Sequence, residues 1–161
     1  MKPGIKAGLI AGIASIAFHL VSYIANSDTD MSHKWMNYLF IALPAVVGVW
    51  FVKREATEGM SFSMGFKGGI QAALVCGVIY SIYFIFYIKF LRPEFMDLLM
   101  QMQTAELDKQ NLPDEQYDQA VEMMKKFMNI PMTISMSLIM YAVFGAIVGA
   151  ITSAILKNKT N

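Results

Sequence analysis

A chain of 161 residues with 56% hydrophobic and only 16% charged residues lies outside the range of water-soluble domains, and has room for one membrane domain with a small appendage. The formal charge of +1 comes from charges sorted along the chain, so there is no basic face for nucleic acid. The single cysteine, Cys76, rules out a disulfide framework or a redox pair.

Four apolar segments are predicted to cross a bilayer: residues 5–25, 35–52, 64–91 and 130–156. The expected fold is all-α, a single membrane domain over 1–161 with four transmembrane helices and a two-helix extracytoplasmic hairpin, residues 93–129, between helices three and four. Four crossings would place both termini and the loop after helix two on one side. That side carries Lys2, Lys6, Lys53, Arg54, Lys67, Lys157 and Lys159, while every acidic residue except Glu55 and Glu58 falls on the other. The positive-inside rule then predicts cytoplasmic termini and a hairpin on the opposite face. Residues 1–25 could pass for a signal peptide, but the apolar run is long for a signal core and Tyr23 suits no cleavage after Ala25.

In helix one, Gly4, Gly8, Gly12, Ser15, His19, Ser22 and Asn26 follow one another three or four positions apart and so share one face. In lipid, small residues at this spacing mark the close approach of another helix. The turn that follows holds Asp28, Asp30 and His33, which lack a fourth ligand in the sequence and read as solvated. Helix two opens on Trp35 and Tyr38, typical interfacial anchors, carries Pro44 at its centre and ends at Lys53 and Arg54.

Helix three, Met64 to Leu91, is the expected centre of the bundle. At about 1.5 Å per residue it would reach roughly 42 Å, beyond a hydrocarbon core of about 30 Å. One stripe holds Gly65, Gly69, Ala73, Cys76, Tyr80, Tyr83 and Tyr87; the opposite face holds Gly68 and Gln71, and Gly68 is expected to be spare packing surface for a partner. Lys67 is expected to snorkel to the headgroups. In the hairpin, Phe95, Leu98, Leu99, Met102 and Ala105 form one apolar stripe and Tyr117, Ala120, Val121, Met124, Phe127 and Met128 another, with Pro113 at a first helical position. Its net acidity favours a hairpin standing clear of the membrane over one lying on anionic lipid. Helix four aligns Thr133, Ser137, Tyr141, Gly145, Gly149 and Ser153. The helix-packing set is therefore Gly8, Gly12, Gly65, Gly69, Gly145 and Gly149.

Levelling the helices by their charged ends brings His19, Tyr80 and Tyr141 to similar depth, with Ser22, Tyr83, Tyr87 and Ser137 beyond them. These seven are the candidate ligand-binding residues, for a lipid headgroup or small amphiphile; the competing reading is interhelical hydrogen bonding. Met124, Met128, Met132, Met136 and Met140 recur every four residues, a spacing that in copper transporters passes copper(I), although methionine is also an ordinary filler of apolar space. No acidic residue lies inside a span, so no catalytic residue, metal site or cofactor is assigned and the chain is not expected to be an enzyme.

The run Gly59-Met60-Ser61-Phe62-Ser63-Met64-Gly65-Phe66-Lys67-Gly68-Gly69, then Arg92-Pro93-Glu94-Phe95, Leu112-Pro113-Asp114-Glu115-Gln116, Pro131, and Gly145 with Gly149 before a basic tail resemble the domain of unknown function 4199 family over nearly the whole chain. The resemblance implies a bacterial inner-membrane protein of about four helices with no assigned catalytic residues. By analogy it also implies a membrane protein partner such as a membrane-bound glycosyltransferase. The resulting expectation is a non-catalytic accessory or scaffold subunit surrounded by membrane lipids, its oligomeric state open; the alternative is a lipid or amphiphile carrier, and a remote alternative is copper(I) handling.

Overall fold

The computed structural model describes residues 1–27 and 34–157, and every regular element among them is helical. In order these are α1 (Pro3–Ile24), α2 (Lys34–Glu55), α3 (Phe62–Phe86, continued by a π-helical turn Tyr87–Leu91), α4 (Phe95–Asp108), α5 (Asp114–Phe127) and α6 (Ile130–Leu156). Among the described residues three helices are long and apolar enough to cross a membrane: α1, α3 with its π turn, and α6. α2 is of similar length but less apolar, carrying Pro44 within it and Lys53 and Arg54 in its last turn. The chain forms two compact units, one of residues 1–81 with the segment from Ser137 onward, the other Ile82–Met136.

The first unit is built on the small-residue half of α3, which three helices approach at close range. A side chain at Gly4 or Gly8 of α1 would fall 2.6 or 2.7 Å from the carbonyl oxygens of Gly68 and Ala72, so these positions admit hydrogen only. From α2, Gly48 meets Ala72 and the Gly68 carbonyl, and Val52 occupies the space over Gly68. From α6, Gly149 faces Gly69, Gly145 faces Ala73, and the Tyr141 ring lies across Gly77. Gly68 is thus no spare surface. Its face of α3 is covered by α2, a helix whose own glycine, Gly48, has no stripe of small residues around it to reveal it in the sequence.

Local chemistry sets the boundaries. Gly59 adopts φ 95°, a left-handed conformation open to glycine, and the Ser61 hydroxyl then accepts the Met64 N–H at 3.3 Å to start α3. Met60, between them, is buried with Val49 and Val52, and Leu156 packs against this cluster. At the other end of α3 the Arg92 N–H donates to the Tyr87 carbonyl at 2.8 Å, five residues back, which closes the π turn. Asn129 separates α5 from α6: its amide nitrogen donates to the Lys126 carbonyl at 2.6 Å and its oxygen accepts the Met132 N–H at 3.0 Å. Pro131 therefore sits in the first turn of α6 instead of breaking it. Pro113 occupies the position before α5, one residue earlier than the sequence suggests, with Asp114 and Glu115 filling the first turn.

Candidate functional site

Five of the seven candidate binding residues belong to the bundle unit. Tyr141 is buried, its ring spent on covering Gly77, and it shares a hydrogen bond with the Cys76 thiol. Cys76 is buried too, with its sulfur 3.9 Å from the Ser15 hydroxyl, which donates to the Ala11 carbonyl at 2.9 Å. Ser15, Cys76 and Tyr141 thus make a polar chain linking α1, α3 and α6. His19 meets Tyr80 edge to face, ring centres 5.9 Å apart, and Ser22 and Ser137 are half-buried. Such contacts let polar groups satisfy one another away from water.

Tyr83 and Tyr87 lie in the second unit. Tyr87 has no exposed surface and is enclosed by Phe84 (ring centres 6.0 Å), Tyr83 (6.2 Å) and Phe95 (5.3 Å, edge-on). These rings form the core that ties the end of α3 to α4, and Tyr87 presents nothing to a ligand. Phe95 reads in sequence as one member of a hairpin stripe; its place against Tyr87 depends on the π turn, which periodicity alone does not indicate.

A cavity in the bundle lies elsewhere. Between α1 and α2, Ile10, Ala11, Ala14, Ser15, Phe40, Leu43, Pro44 and Val47 line an almost wholly apolar cleft of about 130 Å³. Beside it Phe18 stacks on Phe40 with ring centres 4.2 Å apart, and near the chain's basic end the Lys6 ammonium meets the Glu55 carboxylate at 3.1 Å. Pro44 was the sequence signal for irregular packing here, and Ala11 and Ala14 were hidden among other small residues.

Among the described residues no group of three His, Cys, Asp or Glu side chains could hold a metal ion, and Asp28, Asp30 and His33 lie outside them. The methionine series is divided at Met128 and Asn129, where α5 ends and α6 begins, and Met132 and Met136 are exposed on the outside of α6.

The hairpin presents an open, charged surface. α5 buries none of its residues, although its apolar residues share one face. Around its far end stand Glu106, Asp108, Asp114, Glu115 and Asp118, with Lys109 paired to Glu106 at 3.3 Å. The Tyr117 hydroxyl hydrogen-bonds Asp108, tying α5 to the end of α4; that bond raises the phenol's pKa above the ordinary tyrosine value.

No curated protein and no solved structure matches the chain. Residues 6–158 match the family described as "Protein of unknown function (DUF4199)", which bears out the resemblance carried by the α3 entry, the Arg92-Pro93 turn and the hairpin, and the chain belongs to that family.

Proposed function

We propose that the protein is a non-catalytic subunit of an inner-membrane complex, crossing the bilayer four times with both termini in the cytoplasm and offering its periplasmic hairpin to a larger membrane partner. One observation carries this reading: α5 half-buries only Tyr117, Ala120, Val121 and Met124 and leaves its other residues exposed, while the small residues of α1, α3 and α6 and the polar groups Ser15, Cys76 and Tyr141 are matched inside the chain. A packed bundle with an uncovered, charged hairpin suits holding a partner better than performing chemistry. By family analogy that partner is a membrane-bound glycosyltransferase.

The test is photo-crosslinking in the native membrane from a photoreactive residue at Gln110 or Gln116, both exposed at the hairpin's far end. A discrete adduct with a second membrane protein supports the reading; adducts with lipid alone, or none, refute it.

A second reading, lipid or amphiphile binding, is favoured by the cleft beside Pro44 and not by the Tyr87 and Tyr141 region. Its apolar lining suits an acyl chain. Ala14→Phe should fill the cleft and reduce retained lipid without changing the fold, as seen by native mass spectrometry.

A further inference from the structure

The two ends of the hairpin differ in charge and in exposed side chains. Where α3 ends, Phe90 is 70% exposed beside Lys89; where α5 ends, Met123 and Phe127 are 59% and 49% exposed beside Lys125 and Lys126. Lys89 and Lys125 have no ion-pair partner among the described residues, and Lys126 has only an exposed contact with Glu122 at 3.6 Å. At the far end the acidic residues Glu106, Asp108, Asp114, Glu115 and Asp118 face only Lys109 as a cation.

Chain continuity fixes where the near end must be. Phe90 lies in the last turn of the α3 span, and only Met128 and Asn129 separate Phe127 from Ile130, the first residue of the α6 span. The three Cα–Cα steps from Phe127 to Ile130 extend at most about 11 Å, which holds Phe127 close to the start of the α6 span. Water, a protein partner or lipid could cover an exposed phenylalanine, but at this depth the neighbour supplied by the chain's own position is the headgroup layer.

We propose that the foot of the hairpin is a binding surface for anionic phospholipids: Phe90, Met123 and Phe127 enter the hydrocarbon boundary while Lys89, Lys125 and Lys126 meet lipid phosphates. This rests on α3 and α6 crossing the membrane, and it is independent of any protein partner.

The test uses the full-length purified protein in nanodiscs of phosphatidylcholine, alone or mixed with phosphatidylglycerol. Spin labels are placed through Phe127→Cys or Gln110→Cys; native Cys76 is buried. The label at 127 should collide with oxygen in preference to a water-soluble nickel chelate, and the label at 110 should do the reverse. In the double variant Lys125→Gln/Lys126→Gln, the enrichment of phosphatidylglycerol over phosphatidylcholine among co-purified lipids should fall roughly tenfold, since a lysine near an anionic surface contributes about a fivefold preference and Glu122 offsets part of one. A label at 127 open to nickel, one shielded from both reagents as under a protein cover, or unchanged lipid enrichment would each overturn the proposal. Both lysines are exposed, so an unchanged melting temperature confirms that the double variant is folded.

Discussion

The two halves of α3 solve the same packing problem in opposite ways. From Gly65 to Gly77 the helix is made of small residues and lets other backbones approach to contact. Beyond Ile82 it is aromatic, and large rings around Tyr87 fill the space between elements. Close backbone approach suits a lipid environment, where association depends on dispersion and on short contacts between helices. Ring packing suits the membrane boundary, where apolar bodies must be buried and polar edges can be wet. The difference teaches that the bundle tolerates almost no added volume, whereas the hairpin unit tolerates almost no lost volume.

Three substitutions sharpen that contrast, taken from the largest expected effect to the smallest. Tyr87→Ala removes a fully buried ring and should cost about 3 to 5 kcal/mol, seen as early loss of hairpin protection in hydrogen exchange while α1 and α2 stay protected. Gly8→Ala adds a methyl 2.7 Å from the Ala72 carbonyl oxygen and should cost about 1 to 3 kcal/mol in a thermal melt. Gly149→Ala is the control: its nearest neighbour would be 3.6 Å away, ordinary contact, so the better helix propensity of alanine should leave the melt unchanged or raised by up to about 1 kcal/mol. Equal damage from both would contradict the packing described here.

The smallest effect concerns the hairpin's far end. Because Asp108 raises the Tyr117 pKa, the phenol–carboxylate bond contributes fully below the ordinary tyrosine value and is lost as pH climbs through the higher folded value. Tyr117→Phe should therefore remove a late-titrating phenol from an absorbance titration and slightly loosen the hairpin at neutral pH. At a pH above the folded value the parent loses this advantage, because its phenolate faces the carboxylates of Asp108 and Asp118.

Much of this arrangement is legible in residue spacing. Gly4, Gly8 and Gly12 declare one face of α1, and Gly145, Gly149 and Ser153 one face of α6, because a membrane gives small residues at helical period a single physical use. The place of α2 was not legible. Gly48 stands among valines and a tryptophan, so nothing in its neighbourhood showed that it would cover Gly68. The candidate site is less legible for a related reason: depth along a helix puts His19, Tyr80 and Tyr141 level with one another and Tyr87 beyond them, but depth does not say which way a ring turns. Tyr141 turns onto Gly77 and Tyr87 into the Phe84–Phe95 cluster, so both became packing. Asn129, which bonds backward to Lys126 and forward to Met132, shows how one side chain lets α5 and α6 meet within two residues, and it explains why the methionine period is not one continuous row.

The most direct test of the account is native mass spectrometry of the protein extracted gently from its own membrane. The account predicts a stoichiometric complex with a second membrane protein, lost when the acidic residues Glu106, Asp108, Asp114, Glu115 and Asp118 are replaced by their amides. A chain that flies alone, or one whose mass is completed only by bound lipid, would contradict it.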